Sequence, residues 1–240
     1  MQLTIVVPTY NEAQNLPRLA QKLFDLPIEG LKLLVVDDGS PDGTGEIAES
    51  LKGQYPDKIS VLHREGKQGL GTAYIQGFQQ ALAEGADCVA QMDADFSHPP
   101  EKVVQMFDAL KTCDVVIGSR YVSGGSVDES WPLWRKGLSS FGNLYARTIL
   151  RLSVRDTTAG FRMWQRDTLA GMPLDRIRSN GYAFQVEMTY VASRLGYQFR
   201  EIPIYFADRK WGDSKMSFDI QLEAAIRVWE LLFDYRDLGK

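Results

Sequence analysis

The first half of the chain switches repeatedly between two hydrophobic periods, and this restricts the fold more than any other feature of its 240 residues. Short β-branched runs at Leu3–Val7, Leu33–Val36, Ile59–Leu62, Cys88–Met92 and Val115–Ile117 read as strands. Helical spacing fills the intervals near Asn15–Leu26, Gly45–Gln54, Leu70–Glu84 and Glu101–Leu110. The runs LTIVVP, LLVVD and CVAQMD are apolar almost without interruption, as strands buried on both faces should be. The expectation is an α/β fold whose mostly parallel central sheet is covered by helices on both sides.

The second half is less regular. A long helix is expected at Leu133–Leu152, followed by the segment Asp156–Met163, with shorter helices at Ala183–Leu195 and Phe218–Asp234 and a strand at Gln198–Phe206 between them. No repeat, low-complexity tract or linker interrupts the chain, so residues 1–240 are expected to form one domain.

Ligands on open parallel sheets collect at the carboxyl ends of the strands, and the unusual residues stand there. Pro8, Tyr10 and Glu12 follow the first strand, Asp37 and Asp38 the second, Asp93-Ala94-Asp95 the fourth, and Arg120 the fifth. Asp93 and Asp95 flank a small residue, so both carboxylates can turn toward one cation. Mg²⁺ or Mn²⁺ takes one or two carboxylates together with substrate phosphates and water. A helix-capping Asp95 beside a solvated Asp93 is the plainer alternative. Adjacent Asp37 and Asp38 repel, so one should turn toward a hydrogen-bond donor, while Ser40 and Asp42 read as caps of the next helix. Tyr10 can stack on a base and Glu12 can accept from exocyclic N–H groups. Arg209 and Lys215 lie in a loop bent at Gly212 and can clamp a leaving diphosphate. His98 beside the acidic loop reads first as a helix-entry residue, with support of a bound metal as the alternative.

The segments VVPTYNE, VVDDGSPDGT, GKQGLGTAY, MDADFSHPP, GSRY, DTTAGFRMW, GYAFQVEM and EIPIYFADRKWGDSKMS together resemble the family 2 glycosyltransferases, and within them the polyprenol-phosphate mannosyltransferases. The resemblance runs from about residue 6 to 217. It implies a Rossmann-like GT-A fold, with a nucleotide-binding half to about residue 120 and an acceptor half beyond it. It also implies metal-dependent, inverting transfer of mannose from GDP-mannose to a polyprenyl (dolichyl-type) phosphate. By the family pattern Pro8, Tyr10, Glu12, Val36 and Asp38 surround the guanosine. Asp93, the Ala94 backbone and Asp95 serve the metal and diphosphate, and Arg120, Arg209 and Lys215 grip phosphates. Asp95 and Arg120 would be catalytic, and Arg120 and then Arg135 are the candidates for the acceptor phosphate. Ser97 stands where some relatives carry Gln. The nearest alternative is another nucleotide sugar, such as UDP-glucose, or a hydroxyl acceptor, which would need a carboxylate base. A receiver-type signalling domain would need a Lys at the Arg120 position and about half the length.

Net charge of −4 gives no bulk attraction to nucleic acid. Cys88 and Cys113 sit in apolar runs and read as buried thiols. The N-terminus lacks signal-peptide character, and no apolar run reaches the roughly 18 residues of a spanning helix. A cytoplasmic chain is expected, peripheral on the membrane face, docked directly or through a membrane-anchoring partner protein. From Trp131 to Arg155 there is no acidic residue but five basic ones, interleaved with Trp131, Trp134, Phe141 and Tyr145. That pattern fits an interfacial segment or a solvated helix packed on the sheet. Phe218–Asp234 is amphipathic with charges leaning acidic, and reads as packing on the domain or on a partner.

Overall fold

Successive side chains of a strand leave by opposite faces, and β1 (Leu3–Thr9) buries both sets. Ile5 and Val7 join Leu33 and Val35 of β2 (Leu31–Asp37) in one core, which includes Leu16, Leu19 and Leu23 of α1 (Leu16–Phe24) and Ala48 and Leu51 of α2 (Thr44–Gln54). Val6 joins Leu34 and Val36 in a second core with Ala73, Tyr74 and Phe78 of α3 (Leu70–Ala83). The near-continuous apolar character of these strands follows from having a helical layer on each side. This structure, a computed structural model, describes residues 1–208 and 218–239, the side chains of 218–224 excepted.

The remaining elements are β3 (Ile59–His63), β4 (Cys88–Gln91), α4 (Lys102–Leu110), β5 (Val115–Ser119), β6 (Ser126–Val127), α5 (Leu133–Leu150), β7 (Arg162–Gln165), α6 (Arg166–Gly171), α7 (Gly181–Arg194), β8 (Phe199–Pro203), β9 (Tyr205–Phe206) and α8 (Phe218–Asp234). The seven-stranded sheet has the order β3-β2-β1-β4-β7-β5-β8. Among the described strands of this sheet β7 alone runs against its neighbours, pairing antiparallel with β4 and β5. The strand order turns back on itself at β1 and β4, and the carboxyl ends of β1, β2, β4 and β5 open on one edge.

The five strands and four helices expected of the first half are present, with their ends shifted by a few residues. Two features of the second half differ from expectation. The segment Asp156–Met163, for which no element is expected, contains the start of β7, where Arg162 enters the sheet with its guanidinium bound to the Thr157 and Ala159 carbonyls at 2.8 Å each. The single strand expected at Gln198–Phe206 is two. Pro203 has no N–H to extend the ladder, and Ile204 donates to the Ser119 carbonyl while its own carbonyl takes the Ser126 N–H, at 3.1 and 2.9 Å. The chain thereby passes from β8 into β9, which pairs with β6.

Cys88 and Cys113 are free and buried, and burial pushes the Cys88 thiol up to about 12. Among the described residues no helix is long and apolar enough to cross a membrane. Helix α3 lies against β1 where a Cβ at Gly77 would collide with Val6 Cγ1 and stand 3.1 Å from Val36 Cγ2. Gly53 in α2 has open space. Gly77→Ala should therefore destabilise by about 1–3 kcal/mol through overpacking, and Gly53→Ala should gain up to about 1 kcal/mol from helix propensity. Urea denaturation of the two variants checks the pair.

Candidate active site

The first lip of the crevice is held by hydrogen bonds that separate the adjacent acids. Asp37, at the end of β2, accepts from Thr9 Oγ1 at 2.9 Å and from the Ser40 hydroxyl and backbone N–H at 2.6 and 3.1 Å. Asp38 turns the other way and pairs with Arg64, a buried residue just past β3 that also reaches Thr72 Oγ1 at 2.6 Å. Burial pushes the Asp38 carboxyl above its ordinary value even with Arg64 alongside. Asp42 accepts from the Ala13 and Thr44 N–H groups, each at 3.1 Å, and ties the loop after β1 to the start of α2. Glu12 holds Asn15 Nδ2 at 2.7 Å, and the Lys67 ammonium stands 4.7 Å from the centre of the Tyr10 ring. Pro8 is half-buried opposite Val36 in the ladder, and the Val36 side chain is spent in the core on α3. Of the residues expected around a nucleoside, Tyr10, Glu12 and Asp38 thus share this lip.

The acidic loop follows β4 and doubles back through Phe96, whose φ of 62° is unusual for an aromatic residue. The turn lets Asp95 Oδ1 accept from the Ser97 N–H at 3.0 Å and its hydroxyl at 2.6 Å. Ser97 thus serves as a donor that fixes Asp95. Asp93 is half-buried, and Tyr74 Oη donates to its Oδ1 at 3.2 Å. His98 Nδ1 accepts from the Asp93 backbone N–H at 3.0 Å, which puts the ring proton on Nε2, 4.0 Å from Asp93 Oδ2. The imidazole is buried, stacked 5.1 Å from Phe161 and edge-on to Phe206. His98 therefore positions the acidic loop. Tyr74, fully buried and beside Asp93, is held well above its ordinary value by burial and by the carboxylates.

Arg120 sits at the end of β5 with its side chain inside the protein. Its Nε and Nη2 grip both oxygens of Asp156 at 2.8 and 2.7 Å, Nη2 also donates to Thr158 Oγ1 at 2.7 Å, and its backbone N–H meets Asp156 Oδ2 at 2.9 Å. Burial works against both charges, but the pairing more than offsets it, so Arg120 stands above its ordinary value and Asp156 below. The expected phosphate grip by Arg120 is thus modified: Nε and Nη2 are committed to Asp156 and Thr158. Arg162 stands in register with Gln91 of β4 and Ile117 of β5. Burial draws it down to about 9 against the pull of Asp156 and Glu201. It is near enough to bear electrostatically on both Tyr74 and Arg120, and so links the acidic loop to the β5 end.

Helix α5 closes this side. Its Asn143 donates to Asp156 Oδ1 at 3.4 Å and accepts from the Thr157 N–H and hydroxyl at 2.8 and 2.6 Å. Arg135 pairs with Asp208 at 3.2 Å and covers the Trp131 ring at 3.7 Å. Trp131, expected in the interfacial set, is buried edge-on to Phe206. Arg209 and Lys215 lie outside the described residues. Sequence reasoning missed Arg64, Tyr74, Asp156 and Arg162. Arg64 could have been found as another residue at a strand's carboxyl end; the others become neighbours of the site only through the packing of α3 and β7.

A divalent cation fits the chemistry of Asp93 and Asp95, two hard-oxygen donors flanking buried Ala94. Among the described residues no group of three or more His, Cys, Asp or Glu gathers into a metal cage. Two carboxylates are the kind of donor set that leaves coordination positions to substrate oxygens.

The model of glycosyl transferase family 2 matches residues 4–171. An undecaprenyl-phosphate mannosyltransferase of Micrococcus luteus is 46% identical over 228 residues, covering 95% of this chain and 93% of that protein. A polyprenol monophosphomannose synthase of Mycolicibacterium smegmatis is 42% identical over 227 residues, 94% of this chain and 85% of that one. Among solved structures, glucosyl-3-phosphoglycerate synthase of Mycobacterium tuberculosis, in complex with Mn²⁺, UDP and phosphoglyceric acid, superposes with a TM-score of 0.67 at 19% identity, over all of this chain and 80% of that one. Its Mg²⁺ and UDP complex gives 0.66 at 20% identity, with the same coverage.

The Arg120–Asp156 pair has a signature in stability. Asp156→Asn leaves a buried guanidinium uncompensated, which should cost about 3–5 kcal/mol at neutral pH. Because the folded carboxyl lies below its ordinary value, the stability it contributes is complete above the unfolded Asp value near 3.9 and fades as pH falls through the folded value. Urea denaturation from neutral to acid pH should show the gap between wild type and variant narrowing at the acid end.

Proposed function

The chain belongs to glycosyl transferase family 2, and from that premise we propose that it moves mannose from GDP-mannose to a polyprenyl monophosphate, with inversion at the sugar carbon, at the cytoplasmic face of a membrane. The observation that carries the acceptor is the identity of 46% and 42%, over nearly the whole chain, with two relatives named for mannose transfer to polyprenyl phosphates. The local chemistry agrees. A hydroxyl acceptor needs a carboxylate base, and Asp156, the acid at the β5 end, is buried and bound by Arg120. A phosphate monoester has its second pKa near 6, so at neutral pH most of it is already the nucleophilic dianion. No side chain has to remove a proton.

Tyr10 and Glu12 are proposed to receive the guanine, and Asp38, fixed by Arg64, the ribose. Asp93 and Asp95 would hold a divalent cation, which when bound neutralises charge on the departing diphosphate. Ser97, Tyr74 and His98 keep the two carboxylates in place for it, and the Ala94 backbone is proposed to meet the diphosphate. Arg209 and Lys215 are proposed to hold the same diphosphate on the basis of sequence. The acceptor phosphate would approach between the β5 end and the α5 entrance, where Arg162 supplies positive field and Arg135 stands at the mouth. With its Nε and Nη2 engaged by Asp156 and Thr158, Arg120 is proposed to shape the β5 end of the acceptor site as half of an ion pair and not as a free fork. Orienting two anionic substrates in line is then the main task of the site.

Asp95→Ala should reduce metal-dependent transfer on the order of a thousandfold or more, measured as radiolabelled mannose passing into an organic-extractable lipid. Thermal shift against a panel of nucleotide sugars tests the donor. GDP-mannose with Mg²⁺ or Mn²⁺ should stabilise selectively, by about 2.7 kcal/mol at a hundred times its Kd, and EDTA should remove the effect. Equal stabilisation by UDP-glucose would reject the donor assignment, and indifference to EDTA would reject the metal.

A further inference from the structure

Glu187 lies in the middle of α7, fully buried, and takes no part in the chemistry proposed above. A buried carboxylate is costly unless donors surround it, and four surround this one. Oε1 accepts from Arg227 Nη2 at 3.0 Å and Tyr235 Oη at 2.7 Å, and Oε2 from the backbone N–H groups of Ser179 and Arg178 at 2.7 and 3.2 Å. Arg227 belongs to α8, Tyr235 follows that helix, and Arg227 Nε also meets Ser179 Oγ at 3.0 Å. Burial and the Glu187 carboxylate push the Tyr235 hydroxyl well above its ordinary value, so it stays a donor. The cluster thus pins α8 to the segment Arg178–Asn180 that leads into α7.

That segment presses on the nucleoside lip. A Cβ at Gly71 would collide with the Ser179 carbonyl oxygen and stand 3.0 Å from Phe184 Cδ2. One at Gly69, whose φ is 102°, would stand 2.6 Å from Asn180 Oδ1. Glycine at both positions lets the two segments meet. The Thr72 hydroxyl, one residue on, donates to the Gly69 carbonyl at 2.9 Å and accepts from Arg64 Nη2 at 2.6 Å, and Arg64 holds Asp38. On the other side of the cluster, α8 begins at Phe218, shortly after Lys215 of the loop proposed to hold the diphosphate.

We propose that Glu187 is a positioning residue for the nucleotide. Through Ser179 it sets the start of α3, on which Arg64 and Asp38 are aligned, and through Arg227 it fixes the helix that follows Arg209 and Lys215. Cohesion of α7 with α8 alone would not require two glycines where the segment meets α3. The role deepens the proposed donor site and rests on that reading only for the identity of the nucleotide. In Glu187→Gln the amide nitrogen must face either Arg227 and Tyr235 or the Ser179 and Arg178 N–H groups, donor against donor.

Nucleotide affinity and steady-state kinetics of the full chain test the role. Glu187→Gln should raise the Kd for GDP and the KM for GDP-mannose about tenfold, while kcat at saturating donor and the KM for a water-soluble prenyl phosphate stay within about twofold. Ser179→Ala and Tyr235→Phe each remove one contact of the cluster and are milder to the fold. They should move the same constants in the same direction by roughly threefold, and they decide the matter if Glu187→Gln does not fold. Leu110→Ala opens a cavity at the end of α4; it should lower the thermal midpoint at least as much and leave both donor constants unchanged. Unaltered GDP affinity in the cluster variants overturns the proposal. So does a rise in Kd that Leu110→Ala reproduces, or a loss shared equally by donor and acceptor, since either makes the cluster a general support of the fold. If wild type binds UDP in place of GDP and the variants weaken UDP by the same factors, the positioning role stands and the guanosine assignment falls. Binding of neither nucleotide overturns both.

Discussion

Carboxylates gathered on one edge of a sheet repel one another, and this molecule gives each its own donors. Asp37 is answered by Thr9 and Ser40, Asp38 by Arg64, Asp95 by Ser97, Asp93 by Tyr74, and Asp156 by Arg120. A buried carboxylate without such partners would cost several kcal/mol or take up a proton. The pairing is graded. Asp37 and Asp156 are buried and bind the scaffold, while Asp93 keeps part of its surface in the crevice.

Positive charge is arranged by the same rule. Arg120 is matched by Asp156, but Arg162 is satisfied through Nε and Nη2 mainly by backbone carbonyls, and burial lowers its affinity for the proton. The carbonyls fix the guanidinium without cancelling its charge. Its field therefore reaches both the acidic loop and the β5 end. An environment of low dielectric strengthens that reach, and it suits a reaction that must bring together two anions.

Helix α5 joins this chemistry to the outside of the molecule. Asn143 and Ser139 look inward to the Arg120 pair and Tyr121, and Phe141 and Leu144 look outward. A helix with 3.6 residues per turn can serve both purposes over a few residues. Of the α8 acids whose side chains are described, Glu230 and Asp234 are drawn into a local cluster around Arg227. Local pairing of this kind is invisible in a count of charges.

The sheet, its helical layers and the acidic strand ends were legible in the sequence, because burial on two faces writes an unbroken apolar run and because short loops after parallel strands must open on one edge. Asp93, Asp95, Asp38 and Tyr10 could be placed on that edge from the chain alone. Strand β7 could not, since Arg162 and Gln165 break the apolar pattern and the strand exists only where β4 and β5 leave a gap for it. The burial of Arg120 against Asp156, the grip of His98 on the acidic loop and the tie from α8 through Glu187 to the start of α3 were decided by tertiary structure. Each depends on groups far apart in the chain or on how a loop folds back, and periodicity reports only on neighbours a few residues away.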